Sequence, residues 1–191
     1  MFLEGPIQTG KSTLIRTVLK EIFGADLDGV SGFTSQRVTD ADGNLLGFRL
    51  ASAAAELSIC LDTFDIRNIA EVNNVFKYFT PDGPHIDMSV FENAGIRFMS
   101  EALDHAKAGR AKIILLDEIG GHELTSDAFR GKLYELLDSE YPCVGVIKSP
   151  DNTRRMEPSL MDLNAELHKK ILATGNRDEF EYLLRAIIDS I

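Results

Sequence analysis

The chain alternates short apolar runs with longer stretches in which apolar residues return every three or four positions. Phe2-Leu3-Glu4 reads as the end of a strand. After it Leu14, Ile15, Val18, Leu19, Ile22 and Phe23 recur at helical spacing, and Gly24 supplies a stop. Val30 to Thr39 and Leu45 to Ala51 read as two strands joined through Asp42-Gly43, a hairpin-turn dipeptide. Residues 52–75 fit neither period. Phe76 to Thr80 reads as a short strand and Pro81-Asp82-Gly83-Pro84 as a loop. From Met88 to Lys107 a helical stripe runs through Phe91, Ala94, Gly95, Phe98, Met99, Ala102 and Ala106, with Gly109 as its stop.

Two later runs are continuous rather than periodic. Lys112-Ile113-Ile114-Leu115-Leu116 ends in Asp117-Glu118, and Pro142 to Lys148 follows after a helix expected over Ser126 to Ser139. Short Ile-, Leu- and Val-rich runs suit strands buried on both faces of a parallel sheet. Ser149 to Pro158 reads as a polar, mobile loop, Ile171-Leu172-Ala173 as a last strand, and Asn176 as the cap of a final helix. No repeat or linker divides the chain, so residues 1–191 read as a single domain. The alternation predicts an α/β fold: a mostly parallel sheet with helices on both faces and a β-hairpin at one side.

Between the first strand and the first helix stands Gly5-Pro6-Ile7-Gln8-Thr9-Gly10-Lys11-Ser12-Thr13, which fits G-x-x-x-x-G-K-[ST], the phosphate-binding P-loop or Walker A motif. Its glycines let successive backbone N–H groups turn inward on phosphate oxygens, and the helix adds the positive end of its dipole. Lys11 reaches the β- and γ-phosphates, and the Ser12 hydroxyl can hold Mg²⁺. Asp117 and Glu118 end a buried strand, where ligands bind in open α/β sheets. Asp117, at the Walker B position, is placed to orient Mg²⁺. Glu118, one residue on, points to the other side of the strand and can take a proton from an attacking water. Such a glutamate favours hydrolysis over transfer to another acceptor.

Charge and composition narrow the classes. The formal net charge of −10 gives a poor field for a polyanion, and no Lys/Arg stripe offsets it, so no nucleic acid is expected as a partner. No apolar run is long enough to span a bilayer and no basic leader precedes the P-loop, which together suggest a cytoplasmic protein without membrane contact. Cys60 and Cys143 have no metal-ligand spacing and read as two buried thiols. Asp40-Ala41-Asp42-Gly43-Asn44 lacks the glycine position and closing glutamate of a calcium loop and reads as the hairpin turn.

Four segments together resemble the small thermophile-type P-loop nucleoside-triphosphatase family. They are the P-loop, Gly32-Phe33-Thr34-Ser35-Gln36-Arg37 with the later Gly47-Phe48, Asp117-Glu118-Ile119-Gly120-Gly121-His122-Glu123, and Asn176-Arg177-Asp178. Gln8 stands where many members have a second glycine, and His122 where methionine is usual. The resemblance implies a P-loop fold with a catalytic glutamate. It also implies slow Mg²⁺-dependent hydrolysis of ATP, GTP and other nucleoside triphosphates with little base selectivity. Carried over by position, it puts phosphates on Gly5 to Thr13, metal on Ser12 and Asp117, and water activation on Glu118.

Three further residues are weaker candidates. Arg37 is either an internal arginine finger or an exposed strand residue. Glu123 matches the family's second acid or solvates a loop, and Lys148 either senses the γ-phosphate or simply ends a strand. Two other functions fit the same motifs: a small-molecule or nucleotide kinase, which needs an acceptor pocket, and a slow nucleotide-binding switch with a protein partner that the sequence does not name.

Overall fold

The computed structural model describes residues 1–6, 9–24, 27–53, 63–65 and 72–190, of which 63–65 and 156 as backbone alone. Ile7, Gln8, Cys60 and most of the unassigned 52–75 stretch lie outside the described residues. Among the described residues nine strands form one sheet. They are β1 (Phe2–Leu3), β2 (Val30–Thr39), β3 (Leu45–Ser52), β4 (Thr63–Asp65), β5 (Val75–Thr80), β6 (Gly83–Ile86), β7 (Ile113–Ile119), β8 (Cys143–Ile147) and β9 (Ala173–Thr174). The order is β6-β5-β3-β2-β7-β8-β1-β9, with β4 also on β2. The ladders β2–β7, β7–β8, β8–β1, β1–β9 and β2–β4 are parallel, while β2–β3, β3–β5 and β5–β6 are antiparallel. The expected hairpin thus lies at one side, but its first strand is also a full member of the parallel core.

The helices are α1 (Lys11–Phe23), α2, α3 (Asp127–Leu137), α4 (Pro150–Met156), α5 (Met161–Lys170) and α6 (Arg177–Asp189). Helix α2 is continuous but not uniform: Met88–Val90 leads into a π-helical turn, Phe91–Gly95, and then Ile96–Lys107. Alternation along β7 decides which face each helix covers. Ile113 and Leu115 pack with Ile15, Val18 and Leu19 of α1 and Phe180 and Leu184 of α6. Ile114 and Leu116 pack with Phe98 and Met99 of α2, Phe129 and Leu133 of α3, and Leu167 of α5. The run Ile113 to Leu116, apolar at every position, is therefore buried on both sides, as its sequence predicts. Among the described residues no helix is long and apolar enough to cross a membrane.

Several expectations need correction. Ser149 to Pro158, read as a mobile loop, carries helix α4. Ser149 accepts from the Asn152 amide at 3.4 Å, Pro150 takes the first turn, where its missing N–H costs nothing, and Asp151 faces the helix dipole. Pro81 to Pro84 is not all loop, because Gly83 and Pro84 already pair with β5. Pro84 is tolerated there because β6 is an edge strand. Helix α5 filled a stretch left unassigned, its Asp162 at the start and His168, Lys169 and Lys170 at the end matching the dipole. Cys143 is half-buried rather than buried, and its apolar surroundings push the thiol up to about 12.

Strand β7 is gripped closely by its neighbours. A Cβ on Gly32 of β2 would lie 2.1 Å from the Leu115 carbonyl oxygen, and one on Gly145 of β8 would lie 1.9 Å from that of Leu116. Neither backbone atom can turn away as a side chain would, and Gly32 also has φ +111°. Gly32→Ala is expected to lower stability by about 3 kcal/mol or more, through strain and a forced strand separation. Urea unfolding checks this, and a change within experimental error would contradict it.

Candidate active site

The loop between β1 and α1 runs over the C-terminal ends of the parallel strands. Gly10 takes the left-handed conformation (φ 75°, ψ 23°), and no side chain caps α1, so its first N–H groups remain available for an anion. Two remote side chains hold this loop. Asn152 of α4 donates to the Gly5 carbonyl at 3.0 Å, and Arg177 at the start of α6 donates to the Thr9 carbonyl at 2.6 Å. The Lys11 ammonium lies back on the loop, donating to the carbonyls of Gly5 (3.1 Å) and Pro6 (2.5 Å). Burial pulls its pKa down, opposed by the charges of Glu118 and Asp117. Gly5, Thr9, Gly10, Lys11, Ser12 and Thr13 all line one cavity, and Pro6 is exposed beside them.

Asp117 joins this loop to the sheet. Its carboxylate accepts from the Ser12 hydroxyl at 2.8 Å and from the Thr34 hydroxyl at 2.9 Å. The group is buried, and burial, followed by the charge of Glu118, raises its pKa to about 6. The charge of Arg16 and the hydrogen bonds from Ser12 and Thr34 pull the other way. The Ser12 hydroxyl and the Asp117 carboxylate are hard oxygen donors already side by side. That set suits Mg²⁺, which takes few protein ligands and draws the rest from phosphates and water.

Glu118 lies within β7 but breaks its ladder with β8. Leu116 pairs with Gly145 but Ile119 pairs with Ile147, so β7 carries one extra residue in a bulge. Within it Glu118 adopts φ +64°, a left-handed conformation that costs a non-glycine residue about 1–2 kcal/mol. The bulge leaves Asp117 buried and turns Glu118 out into the cavity beside the P-loop. Lys148 donates to the Glu118 carbonyl at 2.8 Å and thereby braces the bulge, while also lining the cavity.

The remaining candidates separate. Glu123 lines the cavity but is buried, and it accepts from the amides of Gly120 (2.6 Å) and Gly121 (2.7 Å), an anchor for the loop after the bulge. Arg37 is exposed on β2, lines the same cavity and makes no ion pair among the described residues. His122 faces Glu157 at 3.3 Å.

Sequence reasoning gave no role to four supporting residues, Thr34, Asn152, Asn164 and Arg177, although Thr34 and Arg177 stand in segments that carry the resemblance. Buried Asn164 donates to the carbonyls of Gly120 and Lys148, both at 3.1 Å. An asparagine in a helix gives no local sign of a partner on two other elements. For Arg177 the place in Asn176-Arg177-Asp178 was a usable signal.

The Asp117 shift has a definite sign. A carboxyl whose pKa is raised from 3.8 to about 6 binds its proton more tightly folded than unfolded. Its contribution to stability is therefore present at low pH and lost as pH rises through that window. In buffer without divalent cations, Asp117→Asn removes the titration. The unfolding free energy of the variant relative to wild type should rise from about pH 4 to pH 6.5, by on the order of 3 kcal/mol at most, and stay level above that. A gap independent of pH, measured by thermal scans, would contradict the assignment.

A family model described as NTPase matches residues 1–184. Nucleoside-triphosphatase THEP1 of Thermotoga sp. (strain RQ2) is 26% identical over 148 residues, covering 78% of this chain and 73% of its own. The protein of that name from Aquifex aeolicus (strain VF5) is 25% identical over 148 residues, 77% of this chain and 74% of its own. Among solved structures, a human cancer-related nucleoside triphosphatase aligns with TM-score 0.62 at 20% identity, over 100% of this chain and 95% of that one. The crystal structure of THEP1 from Aquifex aeolicus aligns with TM-score 0.56 at 21% identity, over 85% and 82%. These structural likenesses carry the fold alone, an α/β architecture. With the P-loop, the bulged acidic strand and a match spanning nearly its whole length, the chain belongs to the NTPase family.

Proposed function

We propose that the chain hydrolyses Mg²⁺-bound nucleoside triphosphates to diphosphate and phosphate, with little selectivity for the base. The observation that carries the reading is the meeting of three groups from distant parts of the chain. Ser12 of the P-loop touches Asp117, and Glu118 is turned into the same cavity.

In this reading the freed N–H groups at the start of α1 and the Lys11 ammonium bind the β- and γ-phosphate oxygens. Lys11 leaves the carbonyls of Gly5 and Pro6 to do so, exchanging two neutral acceptors for a doubly charged one. Ser12 and Asp117 would hold Mg²⁺, which when bound neutralises charge spread across the β- and γ-phosphates. Glu118, exposed and unencumbered by a side-chain hydrogen bond among the described residues, orients a water and takes its proton as the water oxygen attacks γ-phosphorus. Lys11 and the loop amides stabilise the negative charge that gathers on the leaving diphosphate. The loop's amides and lysine read phosphate and do not themselves select a base.

Phosphate release from ATP, GTP, CTP and UTP tests the reading. Wild type should turn over several of them, and Lys11→Ala should lose both binding and turnover. Glu118→Gln should keep binding while its turnover falls roughly 10²–10⁴-fold. Glu118→Gly should behave likewise in turnover yet gain about 1 kcal/mol of stability by relieving the left-handed strain. Undiminished phosphate release by Glu118→Gln would remove the glutamate from the mechanism.

A further inference from the structure

The cavity around the P-loop does not end at Glu118. It has a volume of about 470 Å³ and continues over the antiparallel side of the sheet. Its floor there is a single row of cross-strand neighbours on four adjacent strands. Arg37 stands opposite Phe48, Phe48 opposite Lys77, and Lys77 opposite Ile86, and all four line the cavity. Phe76 and Phe91 form the wall, with ring centroids 4.9 Å apart, and Phe48 lies 6.3 Å from Phe76.

Two irregularities aim these rings. The β3–β5 ladder shifts register between Phe48 and Arg49, so the consecutive residues Phe76 and Lys77 both line the cavity instead of facing opposite ways. The π-helical turn of α2 begins at Phe91. Bulges and π-turns of this kind recur where a side chain is re-aimed at a functional site.

The composition of the row is not that of a core. Phe48 and Phe76 are half-buried and line the cavity, while Phe91 behind them is buried at 6% exposure. Arg37 and Lys77 flank Phe48, and neither makes an ion pair among the described residues; Lys77 rests over the Phe79 ring at 5.6 Å. Ser35, two residues before Arg37 and lining the same cavity, has its hydroxyl out of solvent with no hydrogen-bond partner. Ring surfaces beside two cations and an unused hydroxyl complement a planar molecule that carries an anion.

We infer that this extension binds a second small molecule, a planar ring bearing a phosphate or carboxylate, while a triphosphate occupies the P-loop. Its ring lies among Phe48, Phe76 and Phe91, and its anionic group faces Arg37 and Lys77. The inference rests on the P-loop reading above. In that reading Lys11, Ser12 and Asp117 fix the γ end of the triphosphate toward Glu118, so the base departs away from the extension. The aromatic row is then beyond the γ-phosphate and free for another ligand.

Isothermal titration calorimetry on the full chain, saturated with Mg²⁺ and a non-hydrolysable imido analogue of ATP, tests this. One arm titrates AMP, GMP, CMP and UMP; the other titrates salicylate and 4-hydroxybenzoate. Binding in either arm is expected, and the arm names the class. Phe48→Ala and Lys77→Glu should each weaken it roughly tenfold or more while leaving analogue binding unchanged. Lys77→Glu keeps the test decisive should Phe48→Ala misfold. No binding in either arm at millimolar concentration, or binding indifferent to both substitutions, overturns the inference. So does a loss of analogue affinity in folded Phe48→Ala, which would put the nucleotide's own base on the rings. Failure of wild type to bind the analogue would instead sink the P-loop reading, and this inference with it.

Discussion

The contact between the Ser12 hydroxyl and the buried Asp117 carboxylate, completed by Thr34, is the constraint on which the rest of the site depends. It ties a loop at one end of the chain to a strand more than a hundred residues away, and ties that strand to β2. A carboxylate buried so deeply is costly unless it is paired, and here it has two hydroxyl donors and the nearby charge of Arg16. The residual cost appears as the raised pKa. A cation held by Ser12 and Asp117 would offset that cost.

Placement of Asp117 follows from the sheet. With β7 between β2 and β8, and glycines on both flanking strands, the acidic strand sits close to its neighbours at the C-terminal edge. The extra residue in β7 then separates two adjacent acids into different environments. Asp117 goes inward to hydrogen bonds, and Glu118 goes outward in a strained conformation. The strain is sustained from below: Lys148 holds the Glu118 carbonyl, Glu123 holds the next two free amides, and Asn164 and Thr153 hold the Gly120 carbonyl. A conformation costing about 1–2 kcal/mol persists because this many partners fix its surroundings.

Much of this was legible in the sequence, for physical reasons. The strand and helix that flank Gly5 to Gly10, the doubly buried acidic strand, the Asp42-Gly43 hairpin and the capped last helix each rest on local rules, and each element stands where expected. What was hidden is non-local. A bulge at Asp117-Glu118 leaves no mark in a run of apolar residues, and a π-turn fits the same stripe as an α-helix. Helix α4 was misread because polarity outweighed a sound Ser-Pro-Asp start signal. The aromatic extension of the cavity arises from the register of four strands, and register cannot be read from any one of them.

The central claim is that water, activated beside the P-loop, attacks the γ-phosphorus. Turnover of ATP in ¹⁸O-labelled water, followed by mass spectrometry of both products, tests it most directly. The account predicts one labelled oxygen in the released phosphate and none in ADP. Label in ADP would place the attack at the β-phosphorus, and unlabelled phosphate would mean that another nucleophile accepts the phosphoryl group first; either result would contradict the account.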